Sequence, residues 1–272
     1  MKKYFSLLIS IQFCINSFSQ NAQPLISAEK AFEKSCLEKG IRNGFLSQVD
    51  SNGIEFTDKG PVDAKEFWRS LPVFDGIFSW APTYSEMSIS GDWGYTTGNY
   101  EHRPKTLKDE IDESGQYTTL WGKNDKGEWK YLLDIGTAHA FVPLDKSSKT
   151  IVSKKYGAGK LTGKNILSGI EKEFINSFDK SVANAYAEYG SREYILNIPQ
   201  HWPVTTTDSS IMLIGKMGSG LKYHPSAVKV SPGNDMAAVY GTLSLENKSG
   251  SYLRIWRHEK NGWKIALEVI RI

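Results

Sequence analysis

The residues best suited to chemistry gather toward the end of the first half of the chain. Gly115-Gln116-Tyr117-Thr118-Thr119-Leu120-Trp121 is followed by Gly127-Glu128-Trp129-Lys130-Tyr131-Leu132-Leu133-Asp134-Ile135 and then by His139, with Trp93 and Tyr95 upstream. Trp93, Tyr95, Tyr117 and Trp121 combine apolar bodies with polar tips, which suits them to orient a small ligand. The core of a curved sheet uses the same residue types. Asp134 is a candidate pocket acid, able to hold or move a proton. Strand alternation, however, groups it with Lys130 and Leu132, opposite Trp129, Tyr131 and Leu133. That parity predicts the outer sheet face, where a charge ladder or interface role competes. Glu268 occupies the equivalent place in the second half and has the same predicted face. His139 directly follows the last strand of the first half and is placed to cap a pocket mouth.

Other chemistries lack support. His102, His139, His201, His224 and His258 do not pair at metal-ligand spacing, and no Cys cluster accompanies them, so neither metal nor cofactor is expected. Gly157 to Lys164 has one residue too many for a phosphate loop, and Asn165 replaces its Ser or Thr. No Gly-x-Ser-x-Gly nucleophile turn occurs. A net charge of +3 on 272 residues is too small to suggest a nucleic-acid partner.

The elements that must position these residues come twice. Gly250-Ser251-Tyr252-Leu253-Arg254-Ile255-Trp256 and Gly262-Trp263-Lys264-Ile265-Ala266-Leu267-Glu268-Val269 repeat the two motifs above in order. Glu29-Lys30-Ala31-Phe32 parallels Glu171-Lys172-Glu173-Phe174, and Ser90–Gly98 parallels Ser231–Gly241, all at a spacing of about 135–143 residues. Each unit opens with helices. Ser27 is the expected cap of the first, with Ala28, Phe32 and Cys36 on one face, and residues 62–71 after Pro61 form a second short helix. In unit two, Ser168 and Glu171 match a capping box, and Ile170, Phe174, Phe178, Val182 and Tyr186 form an apolar stripe. Strands follow in both, with unit-two strands expected near residues 211–214, 227–230, 237–245, 252–258 and 263–272. Helices followed by antiparallel strands give an α+β class: two tandem cones, each a curved sheet wrapped around its helices. The expected boundaries are 25–142 and 165–272, joined by a Lys- and Gly-rich linker over 143–164.

The first 19 residues read as an export signal: Lys2-Lys3, a short apolar stretch over 4–15, and small residues before Gln20. The expected location is periplasmic or extracellular, with no membrane span. Gln12-Phe13 ahead of Cys14 does not fit a lipid anchor. The mature chain then keeps Cys36 alone, which excludes an intramolecular disulfide.

The order of elements resembles the nuclear transport factor 2-like superfamily, including SnoaL-like cyclases, ketosteroid isomerase and scytalone dehydratase. Ala28–Phe32, Ser90–Gly98 and Gly127–Gly136 carry the resemblance, which is weaker in unit two, where Met236 and Ala238 replace Trp93 and Tyr95. The resemblance implies a cone fold and a pocket. It places the isomerase base near Phe56, with Glu55 and Asp58 beside it, so that base is missing as the residues stand. Two functions follow: a non-catalytic exported binder of a small apolar molecule, or a cofactor-independent isomerase, cyclase or dehydratase using a pocket carboxylate with Tyr donors. Cones of this family pair through the outer sheet face, which implies an intramolecular pseudo-dimer or a homodimer here.

Overall fold

The structure, a computed structural model, describes residues 22–73, 75–144, 151–152, 164–217 and 220–272. The expected export signal and most of the expected 143–164 linker lie outside the described residues. Unit one opens with α1 (Gln23–Lys39), which carries Pro24, a residue with no backbone N–H to leave unpaired, in its first turn. Ser27, the expected cap, lies one turn inside. Gly40, at φ 79°, ends α1 and turns the chain into α2 (Ile41–Gln48). A Cβ on Gly44 would stand 2.4 Å from the Cys36 sulfur, so glycine permits this close approach of the two helices.

Strands β1 (Val49–Thr57) and β2 (Gly60–Asp63) come next, then α3 (Ala64–Ser70), whose cap Asp63 accepts from the Glu66 N–H at 2.8 Å. The segment expected to be a helix over 62–71 therefore begins as strand. The long strands are β3 (Ile77–Met87), β4 (Trp93–Arg103), β5 (Glu113–Lys123) and β6 (Trp129–Ala138). A two-residue strand, β7 (Ile151–Val152), pairs with β3, so the expected linker contributes to the sheet. The order is β2-β1-β6-β5-β4-β3-β7.

Unit two comprises α4 (Lys164–Lys180), α5 (Val182–Tyr189), β8 (Gly190–Asn197), α6 (Thr207–Lys216), β9 (Lys222–Val230), β10 (Met236–Leu245), β11 (Lys248–Glu259) and β12 (Gly262–Arg271). Its sheet order is β8-β12-β11-β10-β9, with β8 parallel to β12 as β1 is to β6. Two expectations fail here. Residues 211–214 belong to helix α6, whose cap Thr206 accepts from the Ser209 N–H. Ser168 lies inside α4, which starts a turn earlier, and Glu171 is buried in the cone rather than closing a capping box.

A shared bulge decides which way the acids point. Leu120 pairs with Leu133 but Trp121 pairs with Tyr131, leaving Leu132 as an extra residue. Ile255 pairs with Leu267 and Trp256 with Ile265, leaving Ala266 extra at the same place. One additional residue reverses the alternation downstream. Asp134 and Glu268 therefore face the interior, not the outer face that uninterrupted parity predicts.

The outer faces of the two sheets meet. Phe56, Trp93, Tyr95, Leu120, Leu133 and Ile135 form one apolar cluster with Met236, Tyr240, Leu253, Ile255, Leu267 and Val269. Burial of each large side chain contributes about 1.5–3 kcal/mol. Polar contacts fix the register of the two units: Asp235 accepts from the Ser88 hydroxyl at 2.5 Å and the Ile89 N–H at 2.8 Å, and Arg257 pairs with Glu86 at 2.9 Å.

Candidate functional site

The interior of unit one holds a cavity of about 530 Å³. Aromatic side chains form its walls: Phe32 from α1, Phe45 from α2, Trp68 from α3, Phe78 and Trp80 from β3, and Tyr117 from β5. Phe32 packs edge-on to Trp80 at 5.0 Å, and Phe45 stacks on Trp68 at 4.0 Å. Three carboxyls enter this apolar space from within the cone, and the exposed Asp58 and Glu113 also line it. Glu29 points inward from α1 and accepts from Trp80 Nε1 at 2.5 Å, Trp121 Nε1 at 3.0 Å and the Thr96 hydroxyl. Glu55 on β1 accepts from Trp68 Nε1 at 2.7 Å and the Tyr131 hydroxyl at 3.0 Å. Asp134 on β6 accepts from the Thr119 hydroxyl at 2.6 Å.

Burial disfavours the charged form of each acid. Glu29 is pushed up to about 7 by desolvation, against the pull of its three donors. Asp134 is pushed up to about 7 by desolvation, offset by the Thr119 hydrogen bond, with Glu29 adding repulsion. Glu55 lies well above the ordinary carboxylate range, again through desolvation first and then the neighbouring Asp134. At the mouth, Pro199, Arg271 and Ile272 of unit two join Asp58 of unit one. Arg271 donates to Asp58 at 3.2 Å.

The cone of unit two is occupied by its own side chain. Arg254, fully buried, donates through Nε and Nη2 to Glu268 Oε1 at 3.0 and 2.8 Å, and through Nη1 to Glu171. Its guanidinium lies 4.1 Å from the ring centre of Tyr223, 4.3 Å from Phe174 and 4.8 Å from Tyr252. The hydroxyls of Tyr186, Tyr194 and Tyr223 also donate to Glu268, at 2.5, 2.7 and 3.0 Å. Strand register makes Arg254, opposite Glu268, the counterpart of Thr119, opposite Asp134.

The residues singled out from the sequence divide four ways. Tyr117 and Asp134 line the unit-one cavity. Trp121 lies behind it, bonded to Glu29 and Thr96, and is not a cavity wall. Trp93 and Tyr95 do not reach the cavity. They point from the other face of β4 into the inter-unit cluster, because alternation gives the inner face to Thr96. The replacements Met236 and Ala238 are therefore interface changes, not the loss of a pocket lining. His139 does not cap the main mouth. It lines a separate recess with Asp112, Ser114 and Gln200, its Nδ1 2.8 Å from the Ala140 carbonyl.

Sequence reasoning missed Glu29 and Arg254, and named Glu55 only as a neighbour of the expected base. Arg254 was visible in principle, since it shares a strand face with Tyr252 and Trp256 of the repeated motif. Glu55 stands one residue from the expected base position and does face the cavity. Among the described residues no group of three or more His, Cys, Asp or Glu is placed to hold a metal, and no helix is long and apolar enough to cross a membrane.

No family model matches the chain, and no curated protein matches it. Similar solved structures exist. An NTF-2 like protein of unknown function from Shewanella oneidensis MR-1 is 16% identical, covers 38% of this chain and 94% of its own, and has a TM-score of 0.33. An NTF2-like protein from Cytophaga hutchinsonii is 15% identical over 39% of this chain and 95% of its own, TM-score 0.32. A ketosteroid isomerase-like protein from Erwinia carotovora atroseptica is 14% identical over 39% and 92%, TM-score 0.31. Each covers 38–39% of this chain, about the length of one unit.

Proposed function

We propose that this chain is an exported binder of a small organic molecule, held in the cone of unit one, with unit two as a filled cone that braces it and shapes its mouth. One observation carries this reading. The same fold position is an open cavity of about 530 Å³ in unit one and is plugged by Arg254 in unit two. A volume of that size suits a drug-sized molecule, and aromatic walls with a few convergent polar groups are the usual lining of such sites. Lys2-Lys3 and the apolar stretch after them support export. The outer-face cluster supports reading the two units as an intramolecular pseudo-dimer. The test is a native mass spectrum of the mature protein purified from its own host. A reproducible adduct that disappears on denaturation is expected. A clean protein mass, with no ligand found by screening, would remove the reading.

A second reading is favoured by the acids themselves. Glu29 and Asp134, each pushed to about 7, are matched to proton transfer near neutral pH, and Tyr117 stands beside them. The unit would then be a cofactor-independent isomerase, cyclase or dehydratase. Solvent deuterium entering the bound molecule, and failing to enter it in Asp134→Asn, would select this reading over simple binding.

A further inference from the structure

Resting on the reading that the unit-one cone holds a small molecule, we infer that its ligand is an organic cation: an amidinium, guanidinium or protonated amine carried on an apolar body. Unit two shows what this arrangement of side chains contacts. There, a guanidinium lies between two carboxylates, Glu171 and Glu268, and three rings, Phe174, Tyr223 and Tyr252. Register carries each of these onto unit one. Glu29 and Phe32 match Glu171 and Phe174 in the repeated helix motif. Asp134 matches Glu268, and Tyr117 matches Tyr252. Trp80, opposite Tyr100, matches Tyr223, opposite Leu243.

All five unit-one residues line the cavity. What differs is the group in the middle: Thr119 stands where Arg254 reaches in, and its short side chain leaves the space open. Rings around a cation contribute through their negative faces, an attraction that strengthens when water is excluded.

The two cones differ at one further hydroxyl. In unit two the Tyr252 hydroxyl donates to Glu171 at 3.1 Å. In unit one the Tyr117 hydroxyl, on a side chain 7% exposed, makes no hydrogen bond among the described residues. The Thr137 hydroxyl, which also lines the cavity, is likewise without one. Buried polar groups of folded proteins are ordinarily bonded. Both oxygens are closed off by the surrounding side chains, so a ligand would reach them only after those side chains shift.

The charges facing the cavity set the sign. Glu29 comes from α1, Glu55 from β1, Glu113 from β5 and Asp134 from β6. Tyr100 of β4 donates to Glu113 at 2.8 Å. The cation at the rim, Arg271, has a side chain 36% exposed and is held by Asp58 and the Gly136 carbonyl. An anion would meet repulsion from several acids, whereas a cation would supply the countercharge that Arg254 supplies next door. Because Glu29 and Asp134 must ionise to hold it, binding should tighten as pH rises through about 7.

Calorimetric titration of the mature chain with benzamidinium and with benzamide, its neutral counterpart of the same shape, tests this. At pH 8 benzamidinium is expected to bind one-to-one, at least about tenfold more tightly than benzamide. The preference should shrink at pH 6 and vanish in the Glu29→Gln, Asp134→Asn double variant. Thr119→Arg should abolish benzamidinium binding and raise the melting temperature. The wild-type comparison stands even if a variant fails to fold. Benzamide binding as tightly as benzamidinium would overturn the cation assignment and leave the small-molecule reading intact. Binding of neither probe would also overturn it, and the small-molecule reading would fall too only if the native mass spectrum shows no adduct.

Discussion

In unit two, Glu171 and Glu268 share the guanidinium of Arg254, and tyrosine and tryptophan donors occupy their remaining lone pairs. In unit one, Glu29 and Asp134 hold the same places in the fold, Thr119 replaces the arginine, and a cavity opens between the rings. The same cone thus handles buried acids in two ways. Ionised carboxyls cannot be left alone in an apolar interior. Unit two supplies a chain-borne cation, which pulls Glu171 back down against the upward push of burial. Unit one lets its acids rise toward protonation and keeps the space for something else. On the proposed reading, the filled cone braces the one that takes a ligand.

The strongest way to break the comparison is to empty the filled cone. Arg254→Ala leaves two buried acids without their shared partner, and removal of one member of a buried ion pair costs about 3–5 kcal/mol. Chemical denaturation should show that loss, and adding Glu171→Gln and Glu268→Gln should recover part of it. A smaller effect sharpens the contrast through pH. Glu29 and Asp134 have folded values above their unfolded ones, so the folded state binds more protons from 4.5 (Glu29) or 3.8 (Asp134) up to about 7. The stability of the unliganded protein should therefore be full below that window and fall as pH rises through about 7, by on the order of a few kcal/mol. Melting temperatures across pH 4–8 check the slope, which Glu29→Gln and Asp134→Asn should flatten. The smallest expected change is that of Tyr117→Phe. Its hydroxyl has no partner to lose, so stability should stay within about 0.5 kcal/mol of wild type. Tyr252→Phe, which removes the bond to Glu171, should cost about 0.5–1.5 kcal/mol.

Much of the fold was legible because it is written twice. The motifs around Tyr117–Trp121 and Tyr252–Trp256 locate the last hairpin of each unit, and the spacing locates the duplication. The site was less legible, for a local reason. Alternation along Trp129–Asp134 is a sound guide until Leu132 inserts itself, and one extra residue turns Asp134 from the outside to the inside. A bulge of this kind leaves little trace in composition, since Leu132 and Ala266 are ordinary strand residues. Trp93 and Tyr95 misled in the opposite sense. Large aromatics suit a pocket, but here they serve the face on which the two units meet. Glu29 reads from sequence as a charge suited to the first turn of a helix. Its role emerges only when the sheet closes over α1 and brings Trp80, Thr96 and Trp121 to it.

Arg254 is tethered to the chain, and its tether makes it independent of solution conditions in a way no diffusing ligand can be. A free ligand stabilises a protein in proportion to RT ln(1 + [L]/Kd), so its contribution grows and shrinks with supply. A side chain fixed opposite its own binding groups has an effective concentration set by geometry alone. Unit two is therefore saturated wherever the chain is folded, in dilute surroundings as in rich ones. In the proposed binder, one half of the molecule keeps its shape through scarcity while the other half is free to register supply.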